Sequence, residues 1–350
     1  GKVTVPAAPA TNYITGASAN DALVGTAGPD WITAHGGNDT LDGRMGDDSL
    51  SGNAGNDVFI FGRGYGKDTI YTNDTTAGKL DAILFAADVL PADIALARDG
   101  DALVLSIRAT ADALRVSGYF NSDATSGSQV EEIRFANGTL WNIATVKSTA
   151  MVSSAGHDML YGYATADAMA GGPGNDTVYG LAGNDLLRGE QGDDTLAGGD
   201  GNDTLQGGAQ DDWLAGGAGG DSLQGEQGDD RLNGDDANDV LNGGAGNDTM
   251  FGGSGSDTYL VGRGSGKDTI SNNDASVGRF DEIVFDAGVA PQDIVLARDF
   301  SDLLLTIRGT SDSVRVLGHF LGDGVGTSRI DQVRFASGLV WNATTLRSMS

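Results

Sequence analysis

From residue 16 onward an apolar residue returns every nine positions. In a first run these are Leu23, Ile32, Leu41, Leu50 and Phe59, and in a second they include Leu160, Val178, Leu187, Leu205, Leu214, Leu241, Met250 and Tyr259. Two residues before each stands an aspartate: Asp21, Asp30, Asp39, Asp48 and Asp57, then Asp158, Asp167, Asp176, Asp185, Asp194, Asp203, Asp212, Asp221, Asp230, Asp239, Asp248 and Asp257. A glycine usually precedes the aspartate by two: Gly37, Gly46, Gly55, Gly174, Gly183, Gly192, Gly201, Gly219, Gly228, Gly246 and Gly255. The clearest units read GGPGNDTVY (171–179), GGDGNDTLQ (198–206) and GGAGNDTMF (243–251). Such a period predicts a solenoid, in which a unit buries its apolar residue only against its neighbours. Each unit is read as a short strand, with the apolar residue inward, and a tight turn, where glycine tolerates positive φ. Two units complete a flattened coil. Units i and i+2 then stack about 4.8 Å apart, and twelve units make a rod of about 29 Å.

A longer period lies on top of the first. FGRGYGKDTI (61–70) returns as VGRGSGKDTI (261–270), and the match runs without gaps to IRFANGTLWN (133–142) against VRFASGLVWN (333–342). The chain is a tandem duplication whose second copy carries seven additional repeats. After each array the pattern alternates instead, as in DAILF and ALVLSI, or DEIVF and LLLTI. Branched and aromatic residues bounded by Gly, Asn and Asp predict strands joined by turns. No amphipathic helix of three turns is expected; VLPADIALAR (89–98) comes nearest. The expected organisation is a linker at 1–15, a short roll of five repeats at 16–60, and a β-rich module at 61–148. A hinge at 149–155, a long roll of twelve repeats at 156–260 and a second β-rich module at 261–350 follow.

Charge changes the picture. The chain has 21 Lys+Arg against 49 Asp+Glu, a formal net charge of −28. That argues against nucleic acid and anionic membrane as partners, which need a basic face. No apolar run approaches the roughly 20 residues of a membrane span. Without cysteine, a chain of this kind needs another staple than a disulfide, and metal is the obvious one. Residues 156–257 carry 20 acidic and two basic side chains, and residues 16–60 carry seven and one. Stacked carboxylates about 5 Å apart repel by roughly 1 kcal/mol in water and several at an effective dielectric near 20. With carbonyls bared by the glycine turns they form oxygen cages, which suit calcium; zinc or copper would want His or Cys. One ion per stacked pair, up to about 13, would roughly neutralise both arrays.

The G-G-x-G-x-D-x-U-x unit is the calcium-binding signature of β-helix repeats. Residues 16–60 and 153–260 resemble the nonapeptide arrays of the haemolysin-type, repeats-in-toxin (RTX) family. The modules with RGxGKDTI, LARD and RFAxGxxW resemble the domain that commonly follows such arrays. The resemblance implies an all-β fold of two parallel, right-handed β-rolls, each followed by a β-rich capping module. It also implies calcium-driven folding, and export by type I secretion machinery to the outside of the cell. The implied ligands are the seventeen aspartates, with carbonyls from the adjacent glycine turns. Ala19, Thr165, Gln210 and Ala237 replace the glycine before Asp21, Asp167, Asp212 and Asp239, which puts those four sites in question. The C-terminal TTLRSMS parallels ATVKSTA (144–150) and is not assigned as an export signal.

Searches for catalytic constellations fail. GRGYGKDT and GRGSGKDT lack the spacing and the Ser/Thr of a phosphate-binding loop, and neither H-E-x-x-H nor G-x-S-x-G occurs. His35, His157 and His319 lie in unrelated contexts. Trp31 and Trp213 should point outward, for edge packing or sugar contact; Trp141 and Trp341 should be core. Arg98 with Asp99, and Arg298 with Asp299, are expected as ion pairs. The reading favoured is a non-catalytic, calcium-folded module of a secreted bacterial RTX protein. Two alternatives stand beside it: a cell-surface adhesin, biofilm-matrix or surface-layer component with glycan or self contacts, and the tail of a type I-secreted enzyme or toxin.

Overall fold

The structure, a computed structural model, describes residues 11–72, 74, 76, 78–124, 129–272, 274, 278–321 and 328–349. It divides into two compact units, Gly1–Ala150 and Met151–Ser350. Each is a parallel β-solenoid whose successive strands alternate between two sheets.

In the second unit one sheet stacks the strands Met159–Tyr161, Thr177–Ala182, Thr195–Asp200, Trp213–Ala218, Arg231–Asp236, Thr249–Ser254 and Lys267–Ile270. The other stacks Ala168–Pro173, Leu186–Gln191, Thr204–Ala209, Ser222–Gln227, Val240–Ala245, Thr258–Val261 and Glu282–Phe285. Register follows the apolar position. Val178 lies beside Leu196, then Leu214, Leu232, Met250 and Ile270. Opposite them run Met169, Leu187, Leu205, Leu223, Leu241, Tyr259 and Ile283. All are buried, so the interior is two facing columns of one side chain per unit. Burying each contributes roughly 1.5–3 kcal/mol. A slip of one residue would turn every one of them outward.

The first unit repeats the scheme with fewer coils, stacking Ile14, Ile32, Leu50 and Ile70 against Leu23, Leu41, Phe59 and Ile83. Its first strand, Asn12–Thr15, falls in the stretch expected as a linker. Asn12 sits where a repeat aspartate would and pairs with Asp30 in register, which draws the segment into the sheet. Residues 1–10 of that stretch lie outside the described residues.

The β-rich stretches are continuous with the rolls. Lys67–Tyr71 pairs in parallel with Ala113–Ser117, and Ala82–Phe85 with Glu132–Arg134, before antiparallel strands end both sheets. The second copy does the same. The helix candidate at 89–98 resolves into a 3₁₀ turn, Pro91–Asp93, and a strand, Ile94–Asp99. Proline starts the turn, the Leu90 N–H donates to Asp93 Oδ2 at 3.0 Å, and the ladder with Ala102–Ile107 claims the rest. Short helices, Ile143–Ala150 and Ala343–Met349, follow the last strands, their starts held by Thr145 and Thr345 N–H donating to Asn142 and Asn342 Oδ1.

Three side-chain expectations change. Asp99 pairs with Arg115, and Asp299 with Arg315 at 2.7 Å, each two strands away. Neighbours on a strand point to opposite faces, so Arg98 and Arg298 lie instead over the Phe120 and Phe320 rings, 4.8 and 4.7 Å from the centroids. Trp341 is buried, but Trp141 is only half-buried. Trp31 and Trp213 are exposed, as expected.

Candidate metal centre

From the strand Ala168–Pro173 to the strand Thr258–Val261 each turn of the long roll is three residues, as in Gly183-Asn184-Asp185, leading from one strand into the next. The aspartates that close these turns are not surface groups. From Asp176 to Asp257 every one is at most 3% exposed, as are Asp30, Asp39, Asp48 and Asp57. Their two carboxylate oxygens have different fates. Oδ1 accepts the backbone N–H of the aspartate one coil earlier: Asp176 N–H donates to Asp194 at 2.7 Å, Asp194 to Asp212 at 2.8 Å, Asp212 to Asp230 at 2.8 Å. The result is one continuous column of carboxylates along each edge of the roll.

Oδ2 tells more. In Asp39, Asp48 and Asp57, and in all ten aspartates from Asp176 to Asp257, it is shielded from solvent and has no hydrogen-bond partner. A buried ionised oxygen without a partner is strongly unfavourable unless a cation or a proton meets it. The starting coils differ: the Oδ2 atoms of Asp21, Asp30, Asp158 and Asp167 accept the N–H groups of Ala17, Thr26, Ser154 and Tyr163. The demand for charge therefore lies in the interior of the columns.

Burial dominates the electrostatics. It pushes Asp212 and Asp239 up to about 8, Asp57 and Asp230 to about 7, and Asp48, Asp185, Asp194, Asp221, Asp248 and Asp257 to about 6. Neighbouring carboxylates add to the rise, such as Asp230 beside Asp212 and Asp257 beside Asp239. The Oδ1 hydrogen bonds pull the other way without cancelling it.

Glycine makes the close approach possible. A Cβ on Gly192, at φ +126°, would lie 1.7 Å from the Gly174 carbonyl oxygen of the coil below. A Cβ on Gly180 would lie 2.4 Å from Asp185 Oδ2 and 2.5 Å from the Gly198 carbonyl. Where glycine is replaced, Gln210 and Ala237 take φ +84° and +81° themselves, and Asp212 and Asp239 keep the interior arrangement. Among the described residues no three Asp, Glu, His or Cys side chains converge on one point. A bound ion would therefore take carboxylate and carbonyl oxygens together, a donor set that suits a hard cation of flexible coordination. The orphaned Oδ2 oxygens fit that demand.

Sequence spacing missed the ends of the columns. Asp48 N–H donates to Asp68 Oδ1 at 3.0 Å across 20 residues, and Asp57 N–H to Asp81 Oδ1 at 2.9 Å across 24. Asp268 and Asp281 repeat this on Asp248 and Asp257. At the start, Asn12 Nδ2 donates to Asp30 Oδ1 at 2.9 Å. The signal was there: Asp68-Thr69-Ile70, Asp81-Ala82-Ile83 and Asn12-Tyr13-Ile14 keep the polar residue two before the apolar one. His157 Nδ1 contacts the Asn175 backbone, and His319 is buried and accepts the Ile330 N–H.

The RTX calcium-binding nonapeptide repeat (four copies) family matches residues 15–50, 46–67, 151–178, 161–196, 170–205, 188–223 and 224–259. The haemolysin-type calcium binding protein related domain matches 103–145 and 302–345. Iron-regulated protein FrpA of Neisseria meningitidis serogroup C is 38% identical over 114 residues, which is 33% of this chain and 10% of that protein. The chain thus spans about a tenth of the length of this relative. The extracellular lipase LipA of Serratia marcescens aligns over 93% of this chain and 40% of its own at 16% identity, with a TM-score of 0.24.

Proposed function

Because this chain belongs to the RTX haemolysin-type calcium-binding repeat family, we propose that it is a non-catalytic module that folds on calcium binding outside the cell and then serves as a rigid scaffold. The observation that supports this is the pair of edge columns of buried, unpartnered Oδ2 oxygens in each unit. The aspartates named above hold the ions with carbonyls of the adjacent turns, one ion between stacked coils and up to about 13 in the arrays. Calcium, when bound, supplies the positive charge that the columns lack. Extracellular calcium modules bind at about 10⁻⁴–10⁻³ M. Inside a cell the columns would repel themselves apart, which suits export by type I machinery of an unfolded chain.

Far-UV circular dichroism during a calcium titration from chelator upward tests this, with magnesium as control. Magnesium demands near-octahedral geometry and sheds water reluctantly, so it should not substitute. A cooperative gain of β signal with calcium alone is expected. A β signal complete in chelator and unmoved by calcium would sink the reading.

A second reading, attachment at a cell surface, rests on three exposed rings. Tyr13, Trp31 and Tyr71 lie near-parallel on one sheet of the first unit, with centroids 6.5 and 6.4 Å apart. Such a row suits sugar contact. Glycan-array binding by the calcium-loaded chain that Trp31→Ala abolishes would support it; a calcium-loaded monomer that binds no glycan would refute it.

A further inference from the structure

The carboxylate columns do not all end in the same way, and the difference has a chemical meaning. Asp81 is a column member like the others: it is 1% exposed, and its Oδ1 accepts the Asp57 N–H at 2.9 Å. Its Oδ2, unlike those of the repeats, is met by a cation, with Lys79 Nζ at 2.8 Å. The Lys79 side chain is itself 4% exposed. It also contacts Glu131 at 3.0 Å and donates to the Gln129 carbonyl at 2.8 Å. The ammonium is thus surrounded by carboxylate and carbonyl oxygens, the same classes of donor that the repeats offer an ion.

The second copy repeats the arrangement with a different residue. Asp281 is fully buried, accepts the Asp257 N–H on Oδ1 at 2.9 Å, and places Oδ2 against the Arg279 guanidinium. Arg279 also lies 3.8 Å from Asp274 and 4.0 Å from Asp331, and donates to the Arg329 carbonyl at 3.0 Å. Across the 200-residue duplication the residue type has changed, from Lys to Arg, and the partners from Glu131 to Asp331. The column runs one step further in both copies, with Asp81 N–H donating to Glu131 Oε2 at 2.7 Å and Asp281 N–H to Asp331 Oδ2 at 3.1 Å. What the copies share is therefore one buried positive charge between the last two carboxylates of one column. Replacing a flexible ammonium by a planar guanidinium preserves charge and little else.

On the other edge the column ends differently. Asp68, 1% exposed, holds the Asp48 N–H on Oδ1, and its Oδ2 is buried without a partner. The array's pattern thus passes one coil beyond the nine-residue period there, with no side-chain cation to close it.

We propose that Lys79 and Arg279 are resident cations that take the place of a calcium ion between the last two carboxylates of one column in each unit, and that Asp68 is a ligand of an additional calcium ion on the opposite column of the first unit. This rests on the calcium reading given above. On one edge, then, the step between the last two carboxylates carries its own charge, and that step of each unit closes without metal.

The test counts ions on the full chain by equilibrium dialysis and follows folding by circular dichroism over the same calcium range. Lys79→Met should either bind one calcium more than the parent or shift its folding midpoint to higher calcium. Lys79→Arg should behave as the parent. Lys79→Met with Asp81→Asn removes both charges and should return the parental count and midpoint, which separates lost charge from lost packing. Asp68→Asn should bind one calcium fewer. A parent that binds no calcium refutes the underlying reading. A parent that binds calcium, with Lys79→Met unchanged in count and midpoint, or left unfolded and not restored by Asp81→Asn, refutes the resident cation. An unchanged count in Asp68→Asn refutes the added site.

Discussion

With calcium removed, the rolls should fold as the solution is made acidic, the reverse of ordinary acid denaturation. Asp185, Asp194, Asp221, Asp248 and Asp257 are pushed from 3.8 to about 6 by burial, reinforced by neighbouring carboxylates. A folded-state value above the unfolded one means that the folded form binds the proton more tightly. The stability it brings is complete below the unfolded value and is lost as pH rises through the folded one. A rise of that size corresponds to about 3 kcal/mol per group. Five such groups come to about 15 kcal/mol, the upper end of the roughly 5–15 kcal/mol by which domains are stable. Asp212 and Asp239, at about 8, extend the window upward. In chelator, β signal should therefore be low near pH 8 and grow as pH falls toward about 5. A few groups oppose this at the acid end. Asp112, which partial burial alone would raise, is held below its ordinary value by the N–H groups of Gly64 and Gly66, and Asp312 likewise by Gly264 and, behind Thr310, Gly266. Their contribution is lost as pH falls below about 4. Circular dichroism across pH in chelator, read beside the calcium-loaded chain, gives the answer. A β signal that is flat, or that falls from pH 8 to 5, would refute the argument that unpaired carboxylate charge holds the rolls open.

The remaining predictions concern the calcium-loaded chain. Asp212→Asn keeps the shape and removes the charge, so it should bind fewer ions and raise the calcium midpoint, while making the calcium-free form easier to fold at pH 8; dialysis and circular dichroism read both. Gly192→Ala forces a Cβ onto the Gly174 carbonyl at positive φ; a loss of at least about 1–2 kcal/mol is expected from the backbone conformation alone, measured by urea unfolding in calcium. Leu214→Ala empties one position of the interior column and should cost about 2–5 kcal/mol. Trp213→Ala, on the exposed face of the same strand, should stay within about 0.5 kcal/mol in the same assay.

The coils were legible because nine-residue spacing fixes where each chain segment meets its neighbour, and the apolar residue two after each aspartate fixes which face is inside. Leu214 and Asp212 could be placed from that alone. The spacing failed where coil length changed. Asp68 and Asp81 sit 20 and 24 residues beyond the aspartates they stack on. There the period is gone although Asp-x-apolar survives, so the triplet is the deeper signal and the period only one way of presenting it. A coil can lengthen outside the sheet without disturbing the column, because the column needs the carboxylate and the inward side chain, not the intervening turn. The glycine rule failed in the opposite sense: Gln210 and Ala237 adopt the turn conformation without glycine, since the ladders on either side already fix the path. Least legible was the neutralising charge. Lys79 reaches Glu131 across 52 residues, and nothing local marks Lys79 as the cation of a carboxylate column. A net charge of −28 says that cations are required; only the stacking says which carboxylates carry their own.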